Sequence, residues 1–456
     1  MVAPARSYGP SALLAFETEN VRCFRDQTEL TFIATPKADP EVVREVPWRS
    51  DGVPVKFVPV AGIFGANASG KTSLLEAIDD MRMYVLDSFR RKLEAGERWP
   101  FVLDKVSSTR PSRYAVDLVL DGVKTEYGFT LDARGIQEEW AYRYPVGREN
   151  LLFRRDGDNI EFGPTARTET KDAAKLMRRD SLLLSVAGAS GHSILGPLYA
   201  WFQRNLQVAT ERNRRGRQAL TIQMLEQPDS RERVLGLLRA ADLGITDARV
   251  MRVEVDDKAR ERLERALREL SGEESRPSEE QAPIDLATLT ATGLRLIHKG
   301  ADEDVPIQFG FESVGTHVWL GLVGVVLNAL DEGSVLVADE LDASLHPALV
   351  GEIVRLFQDQ RTNRRRAQLI FNSHDPTTLG DSSEDRLLGR DQVWFTEKLA
   401  DGASRLYPLT DFSPRKNEAV ERRYLDGRYG ATPVFAHQEF ERILQDNAAP
   451  SNNGER

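Results

Sequence analysis

The sequence predicts an α/β fold in which a phosphate-binding loop leads from a strand into a helix, flanked by a β-rich N-terminal lobe and interrupted by a helical insertion. Three stretches carry that expectation. "IFGANASGKTSLLEAID", Ile63 to Asp79, has the spacing G-x-x-x-x-G-K-[ST] at Gly65, Gly70, Lys71 and Thr72. "EGSVLVADELDASLHP" has four apolar residues, Val335 to Ala338, running into Asp339 and Glu340. "RAQLIFNSHDPTTLG" has a second apolar run, Ala367 to Phe371, running into Asn372, Ser373, His374 and Asp375.

The context of the loop fits. "VKFVPVAGIF" before it is rich in β-branched and aromatic residues and reads as a strand. After it, Leu74, Leu75, Ile78 and Met81 fall on one helical face. From Leu13 to about Phe162 the remaining text alternates apolar and polar residues between Asp-Gly turns, which predicts a β-rich lobe. From about Glu169 to Leu270 the pattern turns helical, and "SGEESRPSEEQAP" (Ser271 to Pro283) reads as a solvated linker. The expected partition is 1–165 for the β-rich lobe with the loop, 166–293 for the helical insertion and linker, 294–412 for a C-terminal α/β lobe, and 413–456 for an extension and disordered tail.

Chemistry explains these residue types. Glycines let backbone N–H groups converge on phosphate oxygens without Cβ clashes, and the helix that follows directs its partial positive end at them. The cradle would comprise Gly65, Ala66, Asn67, Ala68, Ser69, Gly70, Lys71, Thr72 and Ser73. Lys71 would pair with β/γ oxygens, and the Thr72 hydroxyl would ligate Mg²⁺. A carboxylate at the C-terminal end of a buried parallel strand sits at the ligand crevice of a doubly wound sheet. Asp339 therefore suits a Mg²⁺-bound water, Glu340 the polarising of an attacking water, and His374 a hydrogen bond to the γ-phosphate. The bland alternatives are a glycine-rich turn, a chance acidic pair and a surface-loop histidine. The other histidines, His192, His298, His317, His346 and His437, show no metal-ligand spacing.

Bulk properties narrow the class. At 456 residues the chain is too long for one ordinary core, so two or three lobes are expected. A single cysteine, Cys23, leaves no internal disulfide and suits a reducing compartment. With no apolar run of about 20 residues and no long h-region at the start, the expected location is the cytoplasm, away from membranes. A net charge of −10 argues against wholesale coating of nucleic acid but leaves a local basic groove open. Arg212, Arg214, Arg215 and Arg217 in "TERNRRGRQ", and Arg361, Arg364, Arg365 and Arg366 in "QRTNRRRAQ", are either solvated ends or contacts for nucleic acid or an acidic phage-encoded or partner surface.

The order of phosphate loop, acidic strand end, "LDASLHP" and "NSHD" resembles the ABC-type ATPase heads of the SMC, RecF and OLD-like group. The resemblance implies ATP and Mg²⁺ as ligands and hydrolysis at a head-to-head dimer interface or higher oligomer. It places the family's signature turn at "FESVGTHVWLGLVGVVLNAL", where Ser313 and Gly315 would face the γ-phosphate of a second copy and an apolar helix would run from His317 to Leu330. Where the family usually has two glycines, this chain has Val314-Gly315. Asp342 corresponds to the family's dimer-contact loop, and "TENVRCFRD" matches its opening, which puts Arg22 near phosphate. "LLRAADLGITDARV" and the block from Arg390 to Phe435 look like the RloA-type ATPases of bacterial defence loci, similar to the ATPase subunits of PARIS-like and Septu-like abortive-infection systems. That implies a separate effector, a RloB-like, TOPRIM or HNH nuclease, because Asp391, Glu397 and Asp401 are scattered rather than clustered as in a TOPRIM domain. A DNA-repair ATPase would want long heptad arms, and a transporter subunit a compact helical lobe. An ATP-binding scaffold with little turnover would not need Glu340.

Overall fold

The computed structural model describes residues 11–48, 52–92, 98–254, 290–380, 386–415, 418–433 and 441–442. The linker at 271–283, the helical text at 257–270, His437 and the tail at 446–456 lie outside the described residues.

Along the chain, β1 (Ala12–Glu19) and β2 (Thr28–Thr31) precede a short pair, β3 (Arg44–Val46) and β4 (Val55–Phe57). Then β5 (Val60–Gly65) runs into the loop and helix α1 (Lys71–Asp87). Pro59 separates β4 from β5, so the apolar run before the loop is two strands rather than one. Five strands follow: β6 (Ser112–Leu120), β7 (Val123–Asp132), β8 (Gly135–Arg143), β9 (Asn150–Asp156) and β10 (Asn159–Phe162). Helices α2 (Arg167–Ala174), α3 (Leu183–Ala189) and α4 (Leu195–Ala200) lead to β11 (Leu206–Ala209), then α5 (Arg214–Glu226) and α6 (Pro228–Ala240). The next elements are β12 (Ile245–Glu254), β13 (Thr290–His298) and β14 (Val305–Gln308). The chain continues with α7 (Val314–Glu332), β15 (Val335–Ala338), α8 (Pro347–Gln358), β16 (Gln368–Asn372), β17 (Val393–Lys398), β18 (Ser404–Pro408) and α9 (Val420–Leu425).

Two compact units result: Met1–Val208 with Ala329–Asp342 and Val350–Arg456, and Ala209–Asn328 with Ala343–Leu349. The first holds a seven-stranded antiparallel sheet ordered β10-β9-β8-β7-β6-β1-β2. It also holds a sheet ordered β11-β15-β16-β5-β17-β18, in which β15, β16, β5 and β17 run parallel. Every residue of β5, β15 and β16 is buried, which is why these segments read as unbroken apolar runs. Helix α1 packs Tyr84 edge-on to Tyr114 and Phe129 of the antiparallel sheet, at centroid distances of 5.6 and 5.8 Å. The Gln368 side chain exchanges hydrogen bonds with both backbone groups of Leu13, at 2.7 and 2.9 Å, and joins β16 to β1.

The text between 166 and 293 is not helical throughout. "ITDARVMRVE" forms β12, paired antiparallel with β13 from Ile245↔His298 to Glu254↔Thr290. Helices α2 to α4 belong to the first unit and α5 and α6 to the second. In the second unit, α5 lies on α7: Thr221 Oγ1 donates to Leu320 O at 2.6 Å, and a Cβ at Gly324 would stand 2.6 Å from that hydroxyl. Helix α7 is long and apolar enough to cross a membrane by length and composition, but 67% of its apolar window is buried inside the protein, as in a core helix.

Candidate functional site

The register of the parallel strands brings three strand ends together. Val335 pairs with Gln368, Leu369 with Val60 and Asn372 with Ile63, so Ala338, Asn372 and Gly65 finish at one edge. The loop that leaves β5 needs its glycines for space. Gly70 sits at φ +114, and a Cβ there would stand 2.8 Å from Cys23 Sγ and 2.9 Å from Ser404 Oγ. A Cβ at Gly65 would run into the Thr396 carbonyl, and Ser69 Oγ bonds Thr396 Oγ1 at 2.6 Å. Asn67 and Ala68 at the loop crest are exposed, while Ser69 and Lys71 are buried.

Lys71 folds back over the loop. Its ammonium donates to Gly65 O at 2.8 Å and Ala66 O at 3.1 Å, and lies 3.4 Å from His374 Nδ1. Burial pulls the Lys71 pKa down to about 8, against the opposing pull of Asp342, Glu340 and Asp339. Next to it, Thr72 Oγ1 donates to Asp339 Oδ1 at 3.0 Å. Asn372 Nδ2 donates to the same carboxylate oxygen at 2.7 Å, and Asn372 Oδ1 accepts from the Glu340 backbone N–H. Glu340 has a left-handed backbone, φ +51, and its side chain is exposed at the strand end.

The structure thus gathers Lys71, Thr72, Asp339, Glu340 and His374 into one constellation within the first unit. A hydroxyl and a carboxylate oxygen 3.0 Å apart beside a phosphate cradle fit Mg²⁺, which takes few protein oxygens and fills its other positions with water and phosphate. Among the described residues no group of three or more His, Cys, Asp or Glu side chains could hold a metal ion. His192 bonds Thr170 Oγ1 at 2.9 Å, His298 bonds Glu312 at 2.8 Å, and His346 Nδ1 accepts from Ala348 N at 3.2 Å.

Several of the expected residues also have partners within the chain. The Arg22 guanidinium pairs with helix α1: it donates to Glu76 at 2.6 Å and doubly to Asp80 at 2.8 and 3.0 Å. Asp342 Oδ2 accepts from Ser373 Oγ (3.0 Å), His374 N (2.9 Å) and Asp375 N (3.1 Å), so within its own chain it holds the His374 loop. Ser313 Oγ accepts from Thr316 N at 3.1 Å and caps α7, which begins at Val314 rather than His317. Ser313 and Gly315 belong to the second unit, apart from the unit that carries the phosphate loop. In the first basic run, Arg217 donates to Gly321 O, Thr210 O and Asn213 Oδ1, and burial lowers its pKa to about 10. Asp391 accepts from Thr35 N, Glu397 pairs with Arg405 and Asp401 with Arg25.

Asn372, to which the sequence pattern gives no role, couples Asp339 to Glu340. Its only sequence signal is an amide at the end of an apolar strand, and the contact arises because β16 lies beside β15.

Comparison with known proteins adds the family. Solved structures similar to the chain include an SMC head bound to the C-terminal winged-helix domain of ScpA, at 12% identity and TM-score 0.42, covering 90% of this chain and 99% of that one. An SMC head domain from Thermotoga maritima matches at 14% identity and TM-score 0.37, over 87% of this chain and 98% of that one. No curated protein matches the sequence. The family described as "AAA domain, putative AbiEii toxin, Type IV TA system" matches residues 60–380, from the first residue of β5 through the His374 loop. With the strand–loop–helix cradle at its centre, the chain is a P-loop NTPase of α/β fold and belongs to that family.

Proposed function

We propose that the chain is a Mg²⁺-dependent ATPase that closes on a second copy of itself when ATP is bound, and that it serves as the sensor or regulatory subunit of a bacterial anti-phage defence system. The observation that carries the reading is the Thr72–Asp339 bond, with Lys71 on one side and Glu340 on the other. Mg²⁺, when bound there, neutralises charge on the β- and γ-phosphate oxygens. Lys71 exchanges its two loop carbonyls for phosphate oxygens. Glu340 accepts a proton from the attacking water at its carboxylate, its backbone tethered by Asn372. His374, held by Asp342, donates to the γ-phosphate. Ser313 and Gly315 of a second protomer complete the site, so ATP favours association where ADP does not. Moving a 1:99 equilibrium to 99:1 takes about 5.5 kcal/mol. A few charge-assisted hydrogen bonds at roughly 1.5–3 kcal/mol each suffice.

The defence role rests on the family's description as a toxin of a type IV toxin–antitoxin system and on the RloA-like C-terminal block. The effector is a separate protein, RloB-like, TOPRIM or HNH nuclease, and both act in the cytoplasm. Sedimentation of the Glu340→Gln protein with ATP, with ADP and without nucleotide tests the ATP-driven step. A larger species with ATP alone is expected, and one size throughout rejects ATP-driven closure. Co-purification with the product of a neighbouring reading frame tests the partner; a neighbour that lacks nuclease motifs or does not bind rejects that part.

A further inference from the structure

A second cleft lies in the first unit, at the opposite end of the parallel strands from the phosphate loop. It has a volume of about 590 Å³ and is walled by the segment after β2, the β3–β4 pair and the turn between α8 and β16. Lys56 lies in β4, ahead of β5, and Arg366 comes just before β16, whereas the phosphate loop leaves the far end of β5 and Asn372 is the last residue of β16. Five residues of strand separate the two ends of β16, roughly 15 Å at the rise of an extended chain.

Arg44 decides the character of this cleft. Its residue is only 6% exposed, yet among the described residues Nε and Nη2 have no hydrogen-bond partner. Only Nη1 is used, donating to Glu41 O and Val43 O at 3.0 Å each. That tether fixes the guanidinium plane and leaves the Nε–Nη2 edge buried and without an acceptor. The same edge of Arg22 holds the two oxygens of Asp80 side-on elsewhere in this chain. A buried guanidinium edge without an acceptor is costly, and an oxyanion with two parallel lone pairs is its geometric complement. Asp359 lies near enough to favour the charge of Arg44, but its own oxygens accept from Arg361.

The surroundings favour an anion. Lys56, Arg364 and Arg366 line the same cleft, against one lining carboxylate, Glu45, that lies 3.8 Å from Lys56. This concentration of positive charge stands in a chain of net charge −10. Beside the cations, Pro36, Pro40 and Val43 supply apolar wall. The volume falls in the range of sites for small molecules, about 300–1,000 Å³. We infer that this cleft binds a phosphorylated small molecule of nucleotide size, with the phosphate in the Arg44 fork and the uncharged part against the proline-lined wall. Arg44 is the buried, tethered cation of the four, while Lys56 and Arg364 are exposed at the rim; a fixed fork within a bounded volume favours a small ligand over a polynucleotide strand.

The experiment uses the full chain carrying Lys71→Ala, so that the phosphate loop contributes little. Calorimetric titrations with pyrophosphate, with adenosine monophosphate and with a 20-nucleotide single-stranded DNA separate the sources of phosphate. One small-molecule site per chain is expected, weakened at least about tenfold by Arg44→Gln and severalfold by Arg364→Ala. Pyrophosphate binding as tightly as the monophosphate assigns the affinity to the fork alone; a tighter monophosphate adds the apolar wall. Arg364 is exposed, so Arg364→Ala decides the matter if Arg44→Gln fails to fold. Binding of DNA but of neither small ligand overturns the inference, as does small-ligand binding unchanged by both substitutions. The Arg364→Ala change alone should leave ATP turnover intact; a matching loss of turnover would mean that the cleft and the phosphate loop are one site, and would also overturn it.

Discussion

Both ends of the parallel strands carry ionisable side chains in connecting loops, yet the two ends are wired differently. At the C-terminal end most of the polar groups have partners within the site, with Asp342 Oδ1 the buried exception. Asp339 accepts from Thr72 and Asn372, Lys71 donates to two loop carbonyls, and Asp342 receives three donors from the His374 loop. At the N-terminal end Arg44 keeps two nitrogens without an acceptor in a buried position. The lesson concerns how a ligand enters. Groups such as Lys71, Thr72 and Asp339 that already have partners must trade them on binding, so occupancy depends on competition with internal bonds. The unpaired guanidinium edge of Arg44 gives up no internal bond, but it is buried, so the atoms covering it must shift for an oxyanion to reach it.

The comparison is sharpened first at Glu340. If it acts only on the attacking water, Glu340→Gln should lower kcat by roughly 10²–10⁴. ATP affinity should stay within about threefold, because the amide preserves shape while removing the base. Single-turnover hydrolysis with a parallel binding titration checks both. Equal losses in the two would move Glu340 from the water to the nucleotide.

The next effect belongs to Lys71. Lys71→Ala should weaken ATP binding by roughly 100-fold, the worth of one or two charge-assisted bonds. The same lysine makes affinity depend on pH. In the free chain burial holds its pKa at about 8, so below that value it carries the charge that phosphate needs, and above it the proton is lost. ATP affinity measured at pH 9 should therefore be about tenfold weaker than at pH 7. Lys71→Arg should bind with little change across that interval, since a guanidinium stays charged. A flat profile for the native chain would show that Lys71 keeps its proton throughout.

The smallest expected effect is structural. Asp342→Ala removes three acceptor contacts from Ser373, His374 and Asp375 and should cost roughly 1–3 kcal/mol, read as a lower denaturant midpoint. Turnover should fall less than in Glu340→Gln. An unchanged midpoint would show that the His374 loop is held by something other than Asp342.

Most of the C-terminal end was legible because its determinants are local. A glycine pattern, an apolar strand and an acidic pair each occupy a few consecutive residues, and burial on both faces turns a strand into an unbroken apolar run. The strand at Val335–Ala338 falls where it was expected, and β16 begins one residue later than its apolar run. Less was legible in the text read as a helical insertion, since "ITDARVMRVE" needs β13 beside it to become a strand. The partners of Arg22 were illegible for a related reason. Glu76 and Asp80 lie on the α1 face that meets it, and only their positions in space reveal that the charge is already matched.

By itself, the sequence determined the phosphate loop, the strand ends that face it and the kinds of side chain placed there, because each depends on neighbours within a few residues. Tertiary structure alone decided which polar groups share partners. Asn372 couples Asp339 and Glu340 only because β16 lies beside β15, and Asp342 reaches the His374 loop across 31 to 33 residues of chain. It also decided that Arg217 finds acceptors for Nε, Nη1 and Nη2, while Arg44 finds them for Nη1 but not for Nε or Nη2. Hydrogen bonds and desolvation depend on distances of a few ångströms in space, and a residue's neighbours in sequence do not specify those distances.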